Sequence, residues 1–457
     1  MKLWNYLKSA LLSHPRQQIC EKNSSMTFEE VAIFAEVFSE KLKGEKCCAI
    51  LCNSEMGAAL ALLACIAAKV TALPLSYRYG EIHCKKILDA ITPTAIITDG
   101  EGELQVVHIT DSDYQEADKH PSLIMCTSGT TGSPKGIMLS EKNIISNVVD
   151  ISHYFDIDIN DRILISRPLY HCAVLTGEFL LSIIKGCRIY FYSGSFNPVN
   201  ILKLIADNDI TVFCGTPTLL NTIAKFKNSK AFERLSTICV SGECMNEFVA
   251  ATLRKTFTAA KIYHVYGMTE ACPRISYLPP AMFESNPLSV GKPLDSVSYK
   301  IVKSGGKIAK TNETGVLWVR GPNVMLGYYA NPELTSKALK RGWLCTGDIA
   351  KTTEDGLLQI MGRSDNLIIK AGMNIYPQEV EGALLNDPRV NEVLVYPLEN
   401  ALTGTQLGIK ISGNFSNTDE ERQLCIEVLP SFQIPQRIDI VDELPKSASG
   451  KIIRGKA

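Results

Sequence analysis

Apolar and polar positions change period several times along the chain, and the changes mark its elements. Leu3, Leu7 and Leu11 recur at helical spacing, which predicts an amphipathic helix at the N-terminus. Thr27 followed by Glu30 marks a helix start with Thr27 as N-cap. Residues 48–52 form a short apolar run, read as a strand, and the Ala-rich run 58–68 reads as a buried helix. Residues 72–75 and 95–98 read as further strands. Leu123, Ile124 and Met125 look like the end of a buried strand. Ser140 can cap a helix whose face is Ile144, Ile145, Val148 and Ile151, and 188–192 and 211–214 are strand-like. Strands alternating with helices predict α/β layers. The pattern shifts near Gly362-Arg363-Ser364-Asp365. A short helix (377–385), strands (390–396 and 406–411) and a polar tail follow, about ninety residues, enough for a small domain. The expected fold is α/β, with a large N-terminal domain of layered sheets and helices (1–364) and a small C-terminal α+β domain (365–457).

Composition narrows the function classes. Apolar residues make up 46% of the 457 positions and charged residues 21%, ordinary for a soluble globular protein. The net charge of −1 gives no electrostatic case for nucleic acid or an anionic membrane as partner. Lys8 interrupts the N-terminal apolar run, which argues against a signal peptide, and 58–68 is too short to span a bilayer. The 15 cysteines lack metal-like or disulfide-like spacing, so they read as reduced core thiols of a cytoplasmic protein.

The candidate chemistry centres on residues 123–136, LIMCTSGTTGSPKG. Gly129, Gly132 and Gly136 can take positive φ or let a ligand approach the backbone. Thr127, Ser128, Thr130, Thr131 and Ser133 add hydroxyls and Lys135 a point charge, so the loop can wrap a polyphosphate as a nest of donors. A Walker-type loop needs Gly-Lys-Ser/Thr at a helix mouth, and Pro134 between Ser133 and Lys135 excludes it. The stretch resembles the phosphate-binding signature of the adenylate-forming superfamily, which contains acyl- and aryl-CoA synthetases, luciferases and peptide-synthetase adenylation domains.

Further motifs follow in that superfamily's order, up to residue 454. In His264-Val265-Tyr266-Gly267-Met268-Thr269-Glu270, Tyr266 offers a face to stack adenine, Thr269 a hydroxyl, and Glu270 a hard carboxylate suited to Mg²⁺. The resemblance implies that Tyr266, Gly267 and Thr269 bind the adenylate, with Glu270 and Thr127 at the metal. Ser241-Gly242-Glu243 resembles the loop beside adenine and acyl group, and Glu243 reads equally as a structural acid. Gly347-Asp348 resembles the ribose-binding aspartate, whose carboxylate accepts from both hydroxyls. Arg363 resembles a second nucleotide contact and Asp365 the hinge. Residues 315–321 resemble a structural strand. Near the end, Lys451 resembles the adenylation lysine, which with Lys135 and Thr269 makes up the implied catalytic set. Lys370 and Gly372 resemble the segment that faces the thiol tunnel after the small domain rotates.

Two departures bear on the substrates. Ala173 stands where amino-acid-activating members carry an aspartate, and an α-ammonium there would be desolvated without a counter-charge. The run Pro168-Leu169-Tyr170-His171 instead resembles the acyl- and aryl-CoA ligases. The implied acyl pocket is His171, Val174, Leu175, Ser241 and Met268, with His171 lining or gating the carboxylate channel or else a hydrogen-bonded structural histidine. The expected acid is aryl or aliphatic, uncharged beyond its carboxylate. Gln433 and Gln436 are uncharged where many CoA-using members have basic residues, which keeps a carrier-protein phosphopantetheine open as acceptor beside CoA. The resemblance thus implies an enzyme that uses ATP, Mg²⁺ and CoA (or a carrier protein) to turn a small carboxylic acid into an acyl-AMP and then a thioester. A luciferase-like oxidase of its own adenylate and a non-catalytic nucleotide-binding regulator remain as alternatives.

Overall fold

A computed structural model describes residues 2–76, 80–100, 103–128, 134–194, 196–226, 230–370, 373–400, 404–415, 417–446 and 452. The N-terminal helix Leu3–Ser13 buries Leu3, Trp4, Leu7 and Leu11, the stripe its spacing predicts. Thr27 and Glu30 close a capping box at the start of the helix Phe28–Ser39. Ser140 closes a second one with Asn143 for the helix Glu141–Tyr154, which buries Ile144, Val148 and Ile151. The Ala-rich run belongs to the buried helix Glu55–Ala68.

The strands Cys47–Ile50, Thr71–Pro74, Val212–Gly215 and Thr237–Val240 are buried at every position, the pattern of parallel strands covered on both faces. They fall into two sheets. Among the described residues one is 9-stranded, in the order Lys292–Pro293, Arg274–Leu278, Lys261–Gly267, Thr237–Val240, Val212–Gly215, Arg162–Ile165, Arg188–Phe191, Gln18–Glu21, Ser24–Thr27. The other is 7-stranded, in the order Gly327–Tyr328, Pro134–Leu139, Leu123–Ser128, Thr71–Pro74, Cys47–Ile50, Ala95–Gly100, Glu103–His108. Both are parallel at the centre and antiparallel at the edges. A third sheet is antiparallel and joins Ser298–Val302, Gly315–Arg320, Trp343–Thr352 and Leu358–Arg363.

The C-terminal part has its own core, formed by Ile368, Val380, Leu384, Val393, Ile409 and Leu424 among others. There the helices Pro377–Leu385 and Thr418–Val428 pack with the strands Val390–Asn400, Gly404–Gly413 and Arg437–Ile440. A large part of layered sheets and helices is therefore followed by a small α+β part, as the patterning predicts. Tyr376 packs with Ile349 and Met361 across the two parts, and its hydroxyl donates to Thr314 Oγ1 at 3.3 Å. No helix among the described residues is long and apolar enough to cross a membrane.

Candidate active site

The phosphate-loop motif begins and ends in two strands that pair with each other. The strand from Leu123 does not stop at Met125 but runs to Ser128, antiparallel to Pro134–Leu139, with Thr127 the register partner of Lys135. Thr127 and Lys135 therefore stand side by side near the ends of the two strands. Gly129, Thr130, Thr131, Gly132 and Ser133 lie outside the described residues. Gly136 corrects an expectation. It is a strand residue, and a Cβ there would stand 2.8 Å from Ile91 Cδ1 and 3.0 Å from Ile124 Cγ2. Close packing, not ligand approach, calls for glycine at that position.

Glu270 is tied to this pair of strands by a residue the sequence reading missed. The strand Gly327–Tyr328 pairs with Pro134–Leu139, and Tyr328 donates its hydroxyl to Glu270 Oε1 at 2.9 Å. Among the described residues the other oxygen of this half-buried carboxylate takes no hydrogen bond. Among the described residues no group of three His, Cys, Asp or Glu side chains could hold a metal by itself.

Tyr266, Asp348 and Arg363 come from three strands and form one hydrogen-bonded group. Tyr266 donates its hydroxyl to Asp348 Oδ2, and Arg363 donates to Asp348 Oδ1 at 3.2 Å and to the Thr346 carbonyl at 2.9 Å. Thr346 Oγ1 accepts from the Asp348 N–H at 3.0 Å. Arg363 Nε also donates to Asp365 at 3.2 Å. Gly347 has φ of +73°, and a Cβ there would stand 2.9 Å from Arg363 Nη2, so glycine lets the guanidinium lie beside the aspartate. Burial pushes the Asp348 carboxyl above the usual carboxylate range, against the pull of Arg363. Burial and the neighbouring Asp348 hold the Tyr266 phenol well up, so it stays a donor. A carboxylate has about four lone-pair positions, and two accepted bonds leave room for ribose hydroxyls.

The other predicted residues gather at the carboxyl edge of the 9-stranded sheet, where open α/β sheets bind ligands. Ser241 follows Thr237–Val240 and is buried, Gly267 ends the neighbouring strand, and Met268 and Thr269 open the next turn. Gly242 is exposed with φ of +94°. Glu243 is bonded to a helix start. It accepts from Thr218 N–H at 3.1 Å and Thr218 Oγ1 at 2.8 Å at the start of the helix Pro217–Ala224. His171 is half-buried against the Tyr170 ring, 4.2 Å between centroids. Val174 and Leu175 are fully buried. In the C-terminal part Lys370 donates to the Ile434 carbonyl at 3.4 Å. Gly372 and Lys451 lie outside the described residues.

Residues 13–329 match the AMP-binding enzyme family, and residues 379–451 match the C-terminal domain of those enzymes. The chain belongs to the AMP-binding enzyme family. It is 30% identical over 480 residues to a 2-succinylbenzoate–CoA ligase of Bacillus licheniformis, covering 99% of this chain and 98% of that one. It is 32% identical over 342 residues to a long-chain-fatty-acid–CoA ligase of Haemophilus influenzae, covering 73% of this chain and 60% of the ligase. Among solved structures, the o-succinylbenzoate–CoA synthetase of Bacillus subtilis with its acyl-adenylate superposes with a TM-score of 0.85 at 27% identity, covering 98% of this chain and 96% of that one. The same synthetase has also been solved with ATP and magnesium ion.

Three features of this AMP-binding enzyme were missed in its sequence: Tyr328, Thr218, and a buried charged group of Arg167, Glu178 and Arg274. Tyr328 and Thr218 carry no local signal, because their roles are set by partners 58 and 25 residues away. Arg167 and Glu178 do carry one, being lone charges beside or within the apolar runs 163–165 and 172–184.

Proposed function

We propose that this enzyme is an ATP-dependent acid–thiol ligase that activates an aryl or aliphatic carboxylic acid as acyl-AMP and passes the acyl group to CoA. The observation that carries the reading is the Tyr266–Asp348–Arg363 group, in a chain whose Glu270 is bonded through Tyr328 to the phosphate hairpin. In this reading Asp348 accepts from the ribose hydroxyls, Arg363 fixes its orientation, and Tyr266 offers its ring to adenine. Lys135 and the loop N–H groups receive the phosphates. Glu270, with Thr127, would hold a Mg²⁺ ion, which when bound would supply positive charge to offset that of the phosphates. The substrate carboxylate displaces pyrophosphate in line at the α-phosphorus, and Lys451 bridges acid and nucleotide as charge builds. The thiol then attacks the mixed anhydride and AMP leaves, a step in which positioning dominates.

The unit 365–457 is the mobile domain in this reading and Asp365 its hinge, with Lys370 and Gly372 at the thiol site. Gln433 and Gln436 favour a second acceptor, a carrier-protein phosphopantetheine, because they supply no charge to CoA phosphates. ATP–pyrophosphate exchange over a panel of aryl, fatty and α-amino acids tests the proposal. Aryl or aliphatic acids should drive exchange with far higher kcat/KM than any α-amino acid, since Ala173 offers no counter-charge to an ammonium. An α-amino acid at the head of the panel would overturn it.

A further inference from the structure

The outward face of the third, antiparallel sheet takes no part in the proposed reaction. In its strands Ser298–Val302, Gly315–Arg320 and Trp343–Thr352 one set of side chains is sealed inside, with Ile301, Leu317, Val319 and Leu344 buried. The alternate set faces outward, and the strand register groups it. Lys300, Trp318 and Cys345 stand side by side. One step along, Ser298 pairs with Arg320 and Lys340 with Trp343. Two of the chain's 3 tryptophans thus share this face, both half-buried. Lys300 Nζ lies 4.3 Å from the centroid of the Trp343 ring and 5.7 Å from that of Trp318, and Lys340 Nζ lies 6.0 Å from that of Trp318.

Two ammonium groups therefore approach one ring, and Arg320 and Arg341 are exposed nearby in the chain. Among the described residues none of these four cations has an ion-pair partner. Carboxylates close to them in sequence are engaged elsewhere, Glu313 with Lys303, Glu333 with Lys337 and Asp348 with Arg363. Cation–π contact holds Lys300 in place but brings no net negative charge, so like charges gather without an anion. The face thus has two unmet demands, an apolar layer for the rings and anions within reach of the ammonium groups. The boundary of a lipid bilayer meets both, because tryptophan is enriched at that depth and anionic headgroups attract Lys and Arg. A lysine stem can lie along a ring while its ammonium reaches a headgroup phosphate. A protein partner suits the face less, since protein interfaces are depleted in lysine, and here lysine lies over both rings.

We propose that this face, centred on Lys300, Trp318, Trp343 and Lys340, docks the enzyme on an anionic lipid bilayer. Among the described residues no helix is long and apolar enough to cross a membrane, so the contact is with its surface. The proposal stands apart from the ligase reading. It departs from the expectation, drawn from the net charge of −1, that an anionic membrane is no partner. Net charge averages over the whole surface, whereas exposed charges more than a Debye length of about 8 Å away are largely screened.

Sedimentation of the full chain with vesicles tests it, phosphatidylcholine alone against phosphatidylcholine carrying phosphatidylglycerol, in low and in high salt. The anionic vesicles should bind at least about tenfold more tightly, and high salt should remove the difference. A cation near such a surface contributes about fivefold, so Lys300→Gln/Lys340→Gln should weaken binding about 25-fold. Lys203→Gln/Lys255→Gln makes the same change in net charge at exposed positions elsewhere, and should weaken it far less. Tryptophan emission should shift to shorter wavelength on binding, and Trp318→Phe/Trp343→Phe should abolish the shift, because the third tryptophan, Trp4, is already buried. Equal affinity for the two kinds of vesicle, which needs no variant to fold, would overturn the proposal. Equal losses in the two lysine double variants, or no shift in emission, would do so too. Retention on immobilised polyglutamate without binding to anionic vesicles would also overturn it, and would assign the face to an acidic protein.

Discussion

Asp348 is 8% exposed and surrounded by groups that both oppose and support its charge. Burial raises its pKa and Arg363 lowers it, with the net direction upward. A raised pKa means that, as pH falls, the carboxylate takes up its proton earlier than an exposed aspartate, whose value is about 3.9. Ribose hydroxyls need the ionised acceptor. Nucleotide affinity should therefore fall on acidification with a midpoint above that of an ordinary aspartate, as read by calorimetric titration with AMP. Asp348→Asn should bind about tenfold more weakly or worse, the cost of a lost charge-assisted bond, and should lose the pH dependence. A midpoint that persists in Asp348→Asn would assign the titration to another group. At this scale the sequence singles out Asp348, Arg363 and Glu270 by their own chemistry, and the structure brings Asp348 and Arg363 into one hydrogen-bonded pair. The sequence is silent where a residue acts through a distant partner. Nothing near Tyr266 marks its hydroxyl as the donor to a carboxylate 82 residues away.

The local elements were legible for a similar reason. Caps and stripes are short-range, so Thr27, Ser140 and the Leu3–Leu7–Leu11 stripe announce their helices. The hairpin at the phosphate loop was not legible, because Thr127 and Lys135 read as loop residues until the pairing of the two strands places them in register. Glu243 shows the same limit, since its alternatives were separated only by Thr218. With both Thr218 donors on its carboxylate, it supports the first turn of the helix Pro217–Ala224, whose N-cap is Thr216. Glu243→Ala should lower stability by about 1–2 kcal/mol, comparable to the loss of a helix cap. Denaturant unfolding should show this loss, with a smaller change in AMP affinity. A large loss of AMP affinity with no change in stability would instead make Glu243 a nucleotide ligand.

At the scale of the whole molecule, two cores meet along a narrow seam that includes Ile349, Met361 and Tyr376. The tail before Lys451 is anchored to the small part. Lys446 pairs with Glu392 at 2.5 Å and Glu443 at 2.8 Å, and Glu392 also accepts from the Leu444 N–H at 2.9 Å. A small domain that turns about Asp365 would bring Lys451 to the nucleotide for adenylation and the segment around Lys370 and Gly372 there for thiol attack. Asp365→Pro, which fixes φ at the hinge, should hinder thioester formation more than adenylation. In the proposed reaction acyl-AMP joins two separable half-reactions, and one measurement meets this head-on: thioester formed from CoA and supplied acyl-AMP by Lys451→Ala, a variant expected to lose pyrophosphate exchange. Thioester should form at close to the rate of the unaltered enzyme. Folded Lys451→Ala that loses both activities equally would contradict it.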